Sequence, residues 1–450
     1  MKWMPKPYQT RGVDFLNQGT GRGLWFDPGL GKTSTVLRAI KDQDLRALVV
    51  GPLRVVQIVW PAEIQRWDEF RDMTFNLLHG PKKHKVLDQK VQIDLVNPEG
   101  LHWLFEHTTW PWNCLVLDES TKFKSWTSQR TKLLRHFINN FEYRWTLTGS
   151  PMPNSIEDLF PQVYFMDRGE ALGKHITEFR ARYMRPGGYL GYEHIALPGA
   201  VKEISEKIKP IVMRLKVEDW LTMPPLTEDI IDVHLGAAEY AQYKKLERDF
   251  VVSLKGISIN ATTAATLGMK LRQFTNGIVY GEGGKAYGIA HEEKLNALKD
   301  LVEDLAGNPL LVAVAFKSEV EVIRQMFSKV AAFKNKTIPY IGSGMNKKEL
   351  DITVRDWNAG KLPLVLVHPA SGSLGLNLQE TAHHVCWFGL TWNLMEHDQL
   401  IDRVWRQGQK KPVIVHYIMC AKTKDQDIVK VLTAKSHTQS ELLDAIKAPT

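Results

Sequence analysis

The chain has 450 residues, of which 44% are apolar and 24% are charged, a composition typical of folded globular proteins with roughly two to four domains. Its formal net charge of +8 is compatible with a polyanionic partner. No apolar run approaches the roughly 18 residues that a membrane helix requires, and the N-terminus lacks the hydrophobic segment of a secretory signal. These features argue against a membrane or secreted protein.

The cysteines indicate a reducing compartment. Cys114, Cys386 and Cys420 lie far apart, each within an apolar run typical of a buried strand. Such residues are more typical of buried, reduced thiols than of a disulfide or a metal site. We therefore expect a cytoplasmic protein.

Along residues 24–160, short apolar runs alternate with segments of helical periodicity. The predicted strands are GLWFD, LRALVVGP, TFNLLHG, VQIDLVN, CLVLDES and YRWTLTG. Continuous Val/Leu/Ile runs joined by helices are typical of a parallel sheet that is covered on both faces. The sequence therefore predicts an α/β lobe.

The same alternation returns after about residue 290, with the strand-like runs PLLVAVAF, TIPYIG, LPLVLVHP, HHVCWFG and PVIVHYIM. Between the two regions, LFPQVYFMD, ITEFRARYM, AAEYAQYKKLERDFVVSL and AATLGMKLRQFTN have the periodicity of helices. We predict an N-terminal lobe over 1–225 with a helical insertion from about 155. A C-terminal lobe over 226–450 is predicted to begin with a helical segment at 236–280.

FDPGLGKTS, residues 26–34, follows a predicted strand and opens a predicted helix, which is the setting of a phosphate-binding loop. Phe26 stands where the G-x-x-x-x-G-K-[ST] pattern has its first glycine. Lys32 would neutralise the β- and γ-phosphates of a bound nucleotide, and Thr33 would hold Mg²⁺. The alternative is a glycine turn beside a chance lysine. The predicted ATP contacts from this loop are Pro28, Gly29, Leu30, Gly31, Lys32, Thr33 and Ser34.

Two carboxylates, Asp118 and Glu119, end the apolar run CLVLDES. The carboxyl ends of parallel strands are where open α/β sheets bind ligands. Asp118 would bind Mg²⁺, and Glu119 would orient and deprotonate the attacking water. The alternative is a pair of residues that simply caps the next helix.

In the C-terminal region, QLIDRVWRQGQ contains Arg403 and Arg406, whose spacing places both on one face of a predicted helix. Arginines from a separate lobe could stabilise the charge of a phosphoryl-transfer transition state. The alternative is a surface salt-bridge face.

The order of these motifs resembles that of helicase superfamily two, and within it the Swi/Snf-like ATPases. KPYQTRGVDFL is similar to their adenine-recognition motif, in which Gln9 would read the adenine. FDPGLGKT is similar to the family's D-E-M-G-L-G-K-T loop, which also lacks the first glycine. LDESTKFK stands where the family has Asp-Glu-Ala-His, with Thr121 at the histidine position.

Later segments extend the resemblance to about Leu432. LTGSPMPNSIEDLF resembles motif III, ASGSLGLNLQ motif V, and LTWNLMEHDQLIDRVWRQGQKKPVIVHYI motif VI. The resemblance implies two RecA-like parallel-sheet lobes with a helical insertion between them. It also implies ATP contacts by Gly375 and Asn377, coupling by Thr148, Gly149, Ser150 and Pro151, and phosphate-backbone contacts by Arg54, Lys317, Ser371 and Gly372.

The activity that this resemblance implies is ATP- and Mg²⁺-dependent movement along double-stranded DNA without base specificity. Alternatives are a strand-separating or annealing helicase at forks, the motor subunit of a larger restriction or repair complex with a protein partner, and a module that holds DNA without turnover. The compact chain resembles viral or bacterial members of the family. We expect it to act in the cytoplasm of a prokaryotic cell or a phage-infected host.

Overall fold

The computed structural model describes the chain except for residues 108–109, 188–192, 250, 255–256, 261–263, 281–286, 335, 373–375 and 447–450. The chain divides into two compact units. The first unit comprises Met1–Thr222 together with Lys435–Thr450, and the second comprises Met223–Ala434.

The first unit is built on a parallel seven-stranded sheet. The strands of this unit are β1 (Gly21–Phe26), β2 (Ala47–Val50), β3 (Phe75–Leu77), β4 (Ile93–Val96), β5 (Cys114–Asp118), β6 (Tyr143–Leu147), the hairpin pair β7 (Met184–Gly187) and β8 (Glu193–Ala196), and β9 (Val212–Leu215). The sheet order is β3-β4-β2-β5-β6-β1-β9, and every neighbouring pair is parallel. β2, β4 and β5 are buried along their whole length because helices cover both faces, as the continuous apolar runs predict.

Its helices connect these strands. They are α1 (Pro7–Asn17), α2 (Lys32–Asp42), α3 (Trp60–Arg66), α4 (Lys83–Leu87), α5 (Leu101–His107), α6 (Gln129–Phe137), α7 (Leu159–Asp167), α8 (Ile176–Tyr183) and α9 (Ala200–Ile208).

The second unit has a parallel six-stranded sheet in the order β10-β19-β18-β15-β17-β16. Its strands are β10 (Leu226–Val233), β11 (Val251–Leu254), β12 (Ile257–Asn260), β13 (Ile278–Tyr280), β14 (Tyr287–Ile289), β15 (Leu310–Ala313), β16 (Tyr340–Ile341), β17 (Leu364–Val367), β18 (His384–Trp387) and β19 (Val413–Cys420). The pairs β11–β12 and β13–β14 form separate antiparallel hairpins.

The remaining helices begin in this unit. They are α10 (Ala237–Asp249), α11 (Ala264–Thr275), α12 (Glu293–Asp304), α13 (Lys317–Phe327), α14 (Lys347–Asn358), α15 (Pro369–Gly372), α16 (Leu394–Ile401) and α17 (Lys424–Ala445). The prediction of two parallel-sheet lobes is confirmed.

The segment predicted to be helical between the lobes is mixed. α7, α8, α10 and α11 are helices, but β9 joins the first sheet, β10 joins the second, and the run VVSL forms β11 rather than the end of a helix. β10 lies at the edge of its sheet and is largely exposed, so its polar sequence carries little of the apolar signal of a buried strand.

The end of the chain also differs from the sequence interpretation, which placed residues 226–450 in the second lobe. Residues from Lys435 onward belong to the first unit. The physical reason is burial, since Leu442, Leu443 and Ile446 lie in the same hydrophobic core as Ile156.

The three cysteines are free, buried thiols, as predicted. No helix within the described ranges combines the length and apolarity needed to cross a membrane.

Candidate active site

The predicted phosphate loop lies between the last residue of β1, Phe26, and the first residue of α2, Lys32. Gly29 and Gly31 have φ values of 86° and 73°, a left-handed conformation that glycine adopts without steric cost. Phe26 is a buried strand residue packed near Gly12. The loop therefore bends at its glycines. Phe26, which stands where the phosphate-loop pattern has its first glycine, belongs to the hydrophobic core.

Lys32 lies across this loop. Its Nζ donates hydrogen bonds to the carbonyl oxygens of Phe26, at 2.7 Å, and Asp27, at 3.4 Å. Burial lowers the pKa of Lys32, and the nearby carboxylates of Glu119 and Asp118 partly oppose that effect. The amine is thus held at the loop by backbone oxygens and faces the predicted acidic pair.

An arginine that the sequence interpretation did not assign to the site supports the loop. Arg214 of β9 is 4% exposed and forms an ion pair with Asp27, with Nη2 2.5 Å from Oδ1. Its Nη1 also donates to the carbonyl of Trp25, and the backbone N–H of Val217 donates to Asp27 Oδ2. This contact follows from the pairing of β9 with β1, which places Arg214 opposite Trp25. It could be found only from that pairing and not from the sequence.

Gln9 of α1 lies beside the same loop. Its Nε2 is 3.3 Å from Ser34 Oγ, and its Oε1 accepts from the backbone N–H of Lys6. A Cβ at Gly31 would lie 2.3 Å from Gln9 Nε2, so the two residues are in close contact, while the φ of 73° is what favours glycine at this position. The structure therefore brings the predicted adenine reader to the phosphate loop.

The other loop residues lie where the sequence places them. Pro28 and Leu30 belong to the loop itself, and Thr33 lies in the first turn of α2 and is half-buried. Ser34 Oγ donates to the carbonyl of Gly31 at 3.0 Å. This bond ties the first turn of the helix to the end of the loop.

The acidic pair ends β5, which β6 separates from β1 in the sheet. Asp118 Oδ2 accepts from Trp60 Nε1 at 2.9 Å. Burial, together with the charge of Glu119, raises the pKa of Asp118 to about 6. Glu119 has φ 53° and ψ 58°, a left-handed conformation that is uncommon outside glycine and is found at functional sites.

The predicted coupling residues follow β6. Thr148 is buried, and its Oγ1 accepts from the backbone N–H of Ser150 at 3.1 Å. A Cβ at Gly149 would lie 3.1 Å from Pro28 Cδ, so this segment packs directly against the phosphate loop. Gln162 of α7 donates to the carbonyl of Pro151 at 2.6 Å.

In the second unit, Arg403 and Arg406 lie in turns after α16 rather than on the predicted helix. The backbone N–H groups of Arg403 and Val404 donate three residues back, which ends the helix at this point. Gln409 Nε2 then donates to the carbonyls of Val404 and Ala382, which ties the turn after α16 to the segment before β18.

Arg406 contacts one of the predicted ATP-binding residues. Its Nη1 lies 2.5 Å from Asn377 Oδ1, and burial beside Arg403 lowers its pKa to about 10, so the guanidinium remains charged at neutral pH. Arg403 is buried and donates from Nε to the carbonyl of Gln399. Gly375 lies outside the described residues.

The candidate phosphate-backbone contacts follow strand ends within their own units. Arg54 follows β2, Lys317 begins α13 after β15, and Ser371 and Gly372 lie in α15 after β17. Each position therefore follows the carboxyl end of a parallel strand, the edge at which open α/β sheets bind ligands.

Comparison with known families identifies both halves of the chain. The model of the SNF2-related domain matches residues 8–278, and that of the helicase conserved C-terminal domain matches residues 293–408. The chain belongs to the SNF2-related family of helicase-like ATPase domains, and the predicted place in the Swi/Snf-like branch of helicase superfamily two is confirmed. Membership implies use and hydrolysis of ATP.

Similar proteins occur in phages, bacteria and eukaryotes. Protein p41 of Acyrthosiphon pisum secondary endosymbiont phage 1 is 30% identical, and the match covers 98% of each chain. The helicase/translocase YwqA of Bacillus subtilis is 23% identical over 98% of this chain and 49% of its own. The ISWI chromatin-remodeling complex ATPase ISW1 of Saccharomyces cerevisiae is 24% identical over 96% of this chain and 40% of its own. The chain thus spans nearly all of the phage protein but half or less of the other two.

A solved structure of the Sulfolobus solfataricus SWI2/SNF2 ATPase core in complex with dsDNA is also similar. It is 22% identical, covers 99% of this chain and 94% of its own, and has a TM-score of 0.46.

Proposed function

We propose that this protein is a DNA-stimulated ATPase whose hydrolysis of ATP drives movement along duplex DNA without base specificity. One observation carries the proposal: a single chain matches both domain models and contains the phosphate loop, the acidic pair and the paired arginines. Relatives named as a helicase/translocase and as a chromatin-remodeling ATPase support movement on DNA as the use of that hydrolysis.

In this proposal Lys32 exchanges its bonds to the carbonyls of Phe26 and Asp27 for bonds to phosphate oxygens. Gln9 provides polar contacts for the adenine. The Asp118 carboxylate and the Thr33 hydroxyl fit Mg²⁺, which prefers oxygen ligands and would neutralise phosphate charge when bound. The loop thus supplies both the charge and the backbone donors that a nucleotide requires.

Glu119 is proposed as the base that orients the attacking water and accepts its proton. Arg403 and Arg406 are proposed to stabilise the negative charge that develops on the transferred phosphoryl group. The arginines belong to the second unit and the loop to the first.

Arg54, Lys317, Ser371 and Gly372 are proposed as contacts to backbone phosphates. Such contacts hold nucleic acid without reading its sequence, which suits a protein that moves along DNA. The similarity to a phage protein supports action in the cytoplasm of a prokaryotic cell, including a phage-infected one, where a partner protein could direct the motor to particular sites.

Steady-state ATP hydrolysis tests the proposal, measured without nucleic acid and with duplex DNA, single-stranded DNA or RNA at one moderate salt concentration, since backbone binding depends on salt. Strong stimulation by duplex DNA is expected. Stimulation confined to single strands or RNA would favour a strand-separating helicase. Absence of turnover in every condition would contradict the proposal and favour a binding module or a motor subunit that requires its partner.

A further inference from the structure

The C-terminal residues of the first unit dock beside the predicted coupling segment. Leu442, Leu443 and Ile446 are buried in the same core as Trp25 and Met152. Trp25 belongs to β1, the strand that leads into the phosphate loop, and Met152 follows the coupling residues. The end of the chain therefore packs against two segments that approach the nucleotide site.

An ion pair fixes the same segment at a second point. Asp444 Oδ1 lies 2.5 Å from Lys216 Nζ, and Lys216 directly follows β9. β9 also carries Arg214, which holds Asp27 of the phosphate loop. The segment thus contacts the structure that supports the loop, in addition to the core beneath it.

Gln439 makes the most direct contact. Its side-chain Oε1 accepts from Ser150 Oγ at 2.9 Å and from the backbone N–H of Met152 at 3.2 Å. The residue is 8% exposed, so water competes little for these donors. One buried carbonyl therefore holds two positions of the LTGSPMPN motif.

A displacement of Ser150 or Met152 would also affect the phosphate loop, because the neighbouring Gly149 packs against that loop. Gly149 precedes Ser150 and packs against Pro28 so closely that an added Cβ would lie 3.1 Å from its Cδ. Gln162 donates from Nε2 to the carbonyl of Pro151, and its Oε1 accepts from Ser120 Oγ at 2.7 Å. Ser120 directly follows Glu119 in the sequence. The coupling segment is thus held by Gln162, which also bonds the residue after the acidic pair, and by Gln439 of the C-terminal segment.

We propose that Gln439 is a positioning residue for ATP hydrolysis: it fixes Ser150 and Met152 and so keeps the coupling segment in place against the phosphate loop. The inference rests on the proposed ATPase function. It makes the C-terminal segment from Lys435 to Ile446 a working part of the catalytic unit, acting through residues that it contacts rather than on the nucleotide itself.

The test compares Gln439→Leu, which removes the acceptor but keeps the bulk, with Gln439→Glu, which keeps acceptor oxygens for both donors. Ser440→Ala, at the exposed neighbouring position, is the matched control. For Gln439→Leu we expect a fall in DNA-stimulated kcat of about ten-fold with the KM for ATP nearly unchanged, because the lost bonds position the reaction rather than bind ATP. Gln439→Glu should recover most of the rate, and Ser440→Ala should match the wild type.

Hydrogen exchange gives a readout that does not need turnover. The amide of Met152 should exchange faster in Gln439→Leu than in the wild type, while peptides from β5 keep their protection. Equal exchange of the Met152 amide in Gln439→Leu and the wild type would overturn the contact. Faster exchange of that amide in Gln439→Leu with an unchanged kcat would overturn the positioning role. Loss of protection throughout the first unit, with no recovery in Gln439→Glu, would assign Gln439 a purely structural role instead.

These outcomes are separate from failure of the proposed function. A wild type that hydrolyses no ATP with any nucleic acid would overturn that function. Exchange at Met152 would still decide whether Gln439 holds the coupling segment.

Discussion

Replacing Asp118 with asparagine should stabilise the first unit while abolishing ATP turnover. The carboxyl group is buried, its Oδ2 is held by Trp60 Nε1, and its pKa is raised from the ordinary value of 3.8 to about 6. Above pH 6 the folded chain therefore contains an ionised carboxylate in surroundings that favour the neutral form. Asparagine has nearly the same shape, can accept the same hydrogen bond and carries no charge.

The magnitude follows from the difference between the two pKa values. A pKa raised from 3.8 to about 6 corresponds to about 3 kcal/mol of unfolding free energy. Asp118 keeps its proton to a higher pH in the folded state than in the unfolded state. Its contribution to the free energy of unfolding is therefore fully present below pH 4 and is lost as the pH rises through 6. The raised pKa of Asp118 already includes the attraction of Lys32. The free energy of unfolding of Asp118→Asn should therefore exceed that of the wild type by about 3 kcal/mol at pH 8 and by about half of that at pH 5.

Urea unfolding at pH 8 and pH 5 measures this gain, with hydrogen exchange of peptides from β5 and β6 to report on the first unit alone. Asp94→Asn is a matched control, because Asp94 is also buried, accepts from Trp112 Nε1 at 2.8 Å and has a pKa raised by burial. The control should also be stabilised but should retain turnover, since Asp94 lies within β4. An unchanged or lower stability of Asp118→Asn at pH 8, or a gain that does not shrink by pH 5, would refute the reasoning.

Three further substitutions test the site and the second unit. Lys32→Ala should abolish ATP turnover with the fold intact, measured by steady-state hydrolysis and circular dichroism, because the loop loses its phosphate-neutralising charge. Arg406→Ala should lower kcat by at least about a hundred-fold with little change in nucleotide affinity, since such arginines act in the transition state. Lys294→Met should destabilise the second unit by about 3–5 kcal/mol in thermal unfolding, because it leaves the buried carboxylate of Asp425, now 2.6 Å from Lys294 Nζ, without its partner.

Each substitution has a control on the same element or loop. Lys41→Ala removes a surface lysine at the end of α2, Gln407→Ala changes an exposed neighbour of Arg406, and Lys299→Met breaks an exposed ion pair of α12. All three should behave nearly like the wild type: surface ion pairs such as those of Lys41 and Lys299 contribute little, and Gln407 is an exposed neutral side chain. Normal turnover in Lys32→Ala, a parallel loss of affinity and turnover in Arg406→Ala, or wild-type stability in Lys294→Met would each contradict its prediction.

The parallel sheets could be predicted because the burial of both faces leaves a direct mark on the sequence. Runs such as CLVL, which leads to Asp118, and LVLV are apolar at every position, since helices cover both sides of each strand. β10 illustrates the limit of this signal. It pairs along its whole length with β19, yet its exposed edge position gives it the sequence LTEDIIDV, which carries no run of that kind.

The residues of the candidate site likewise fall into those that the sequence predicts and those that it does not. The phosphate loop and the acidic pair are local patterns, so spacing along the chain is enough to find them. The partners that hold them are distant in sequence: Arg214 reaches Asp27, and Gln439 reaches Ser150. A single arginine or glutamine in an ordinary strand or helix has no local feature that marks such a contact, which only the folded structure supplies.

The electrostatics of the phosphate loop explain why a polyanion accompanied by a divalent cation suits it. Burial lowers the pKa of Lys32 and raises that of Asp118, so each group is held in surroundings that disfavour its charge. A ligand that brings phosphate to the lysine and a cation to the carboxylate would add counter-charge to both, beyond the attraction that the two groups already exert on each other. A neutral ligand of the same size would offset neither cost. The shifted pKa values of these two groups therefore support the proposed binding of a nucleotide with Mg²⁺ at this loop, where Gln9 is the proposed contact for the base.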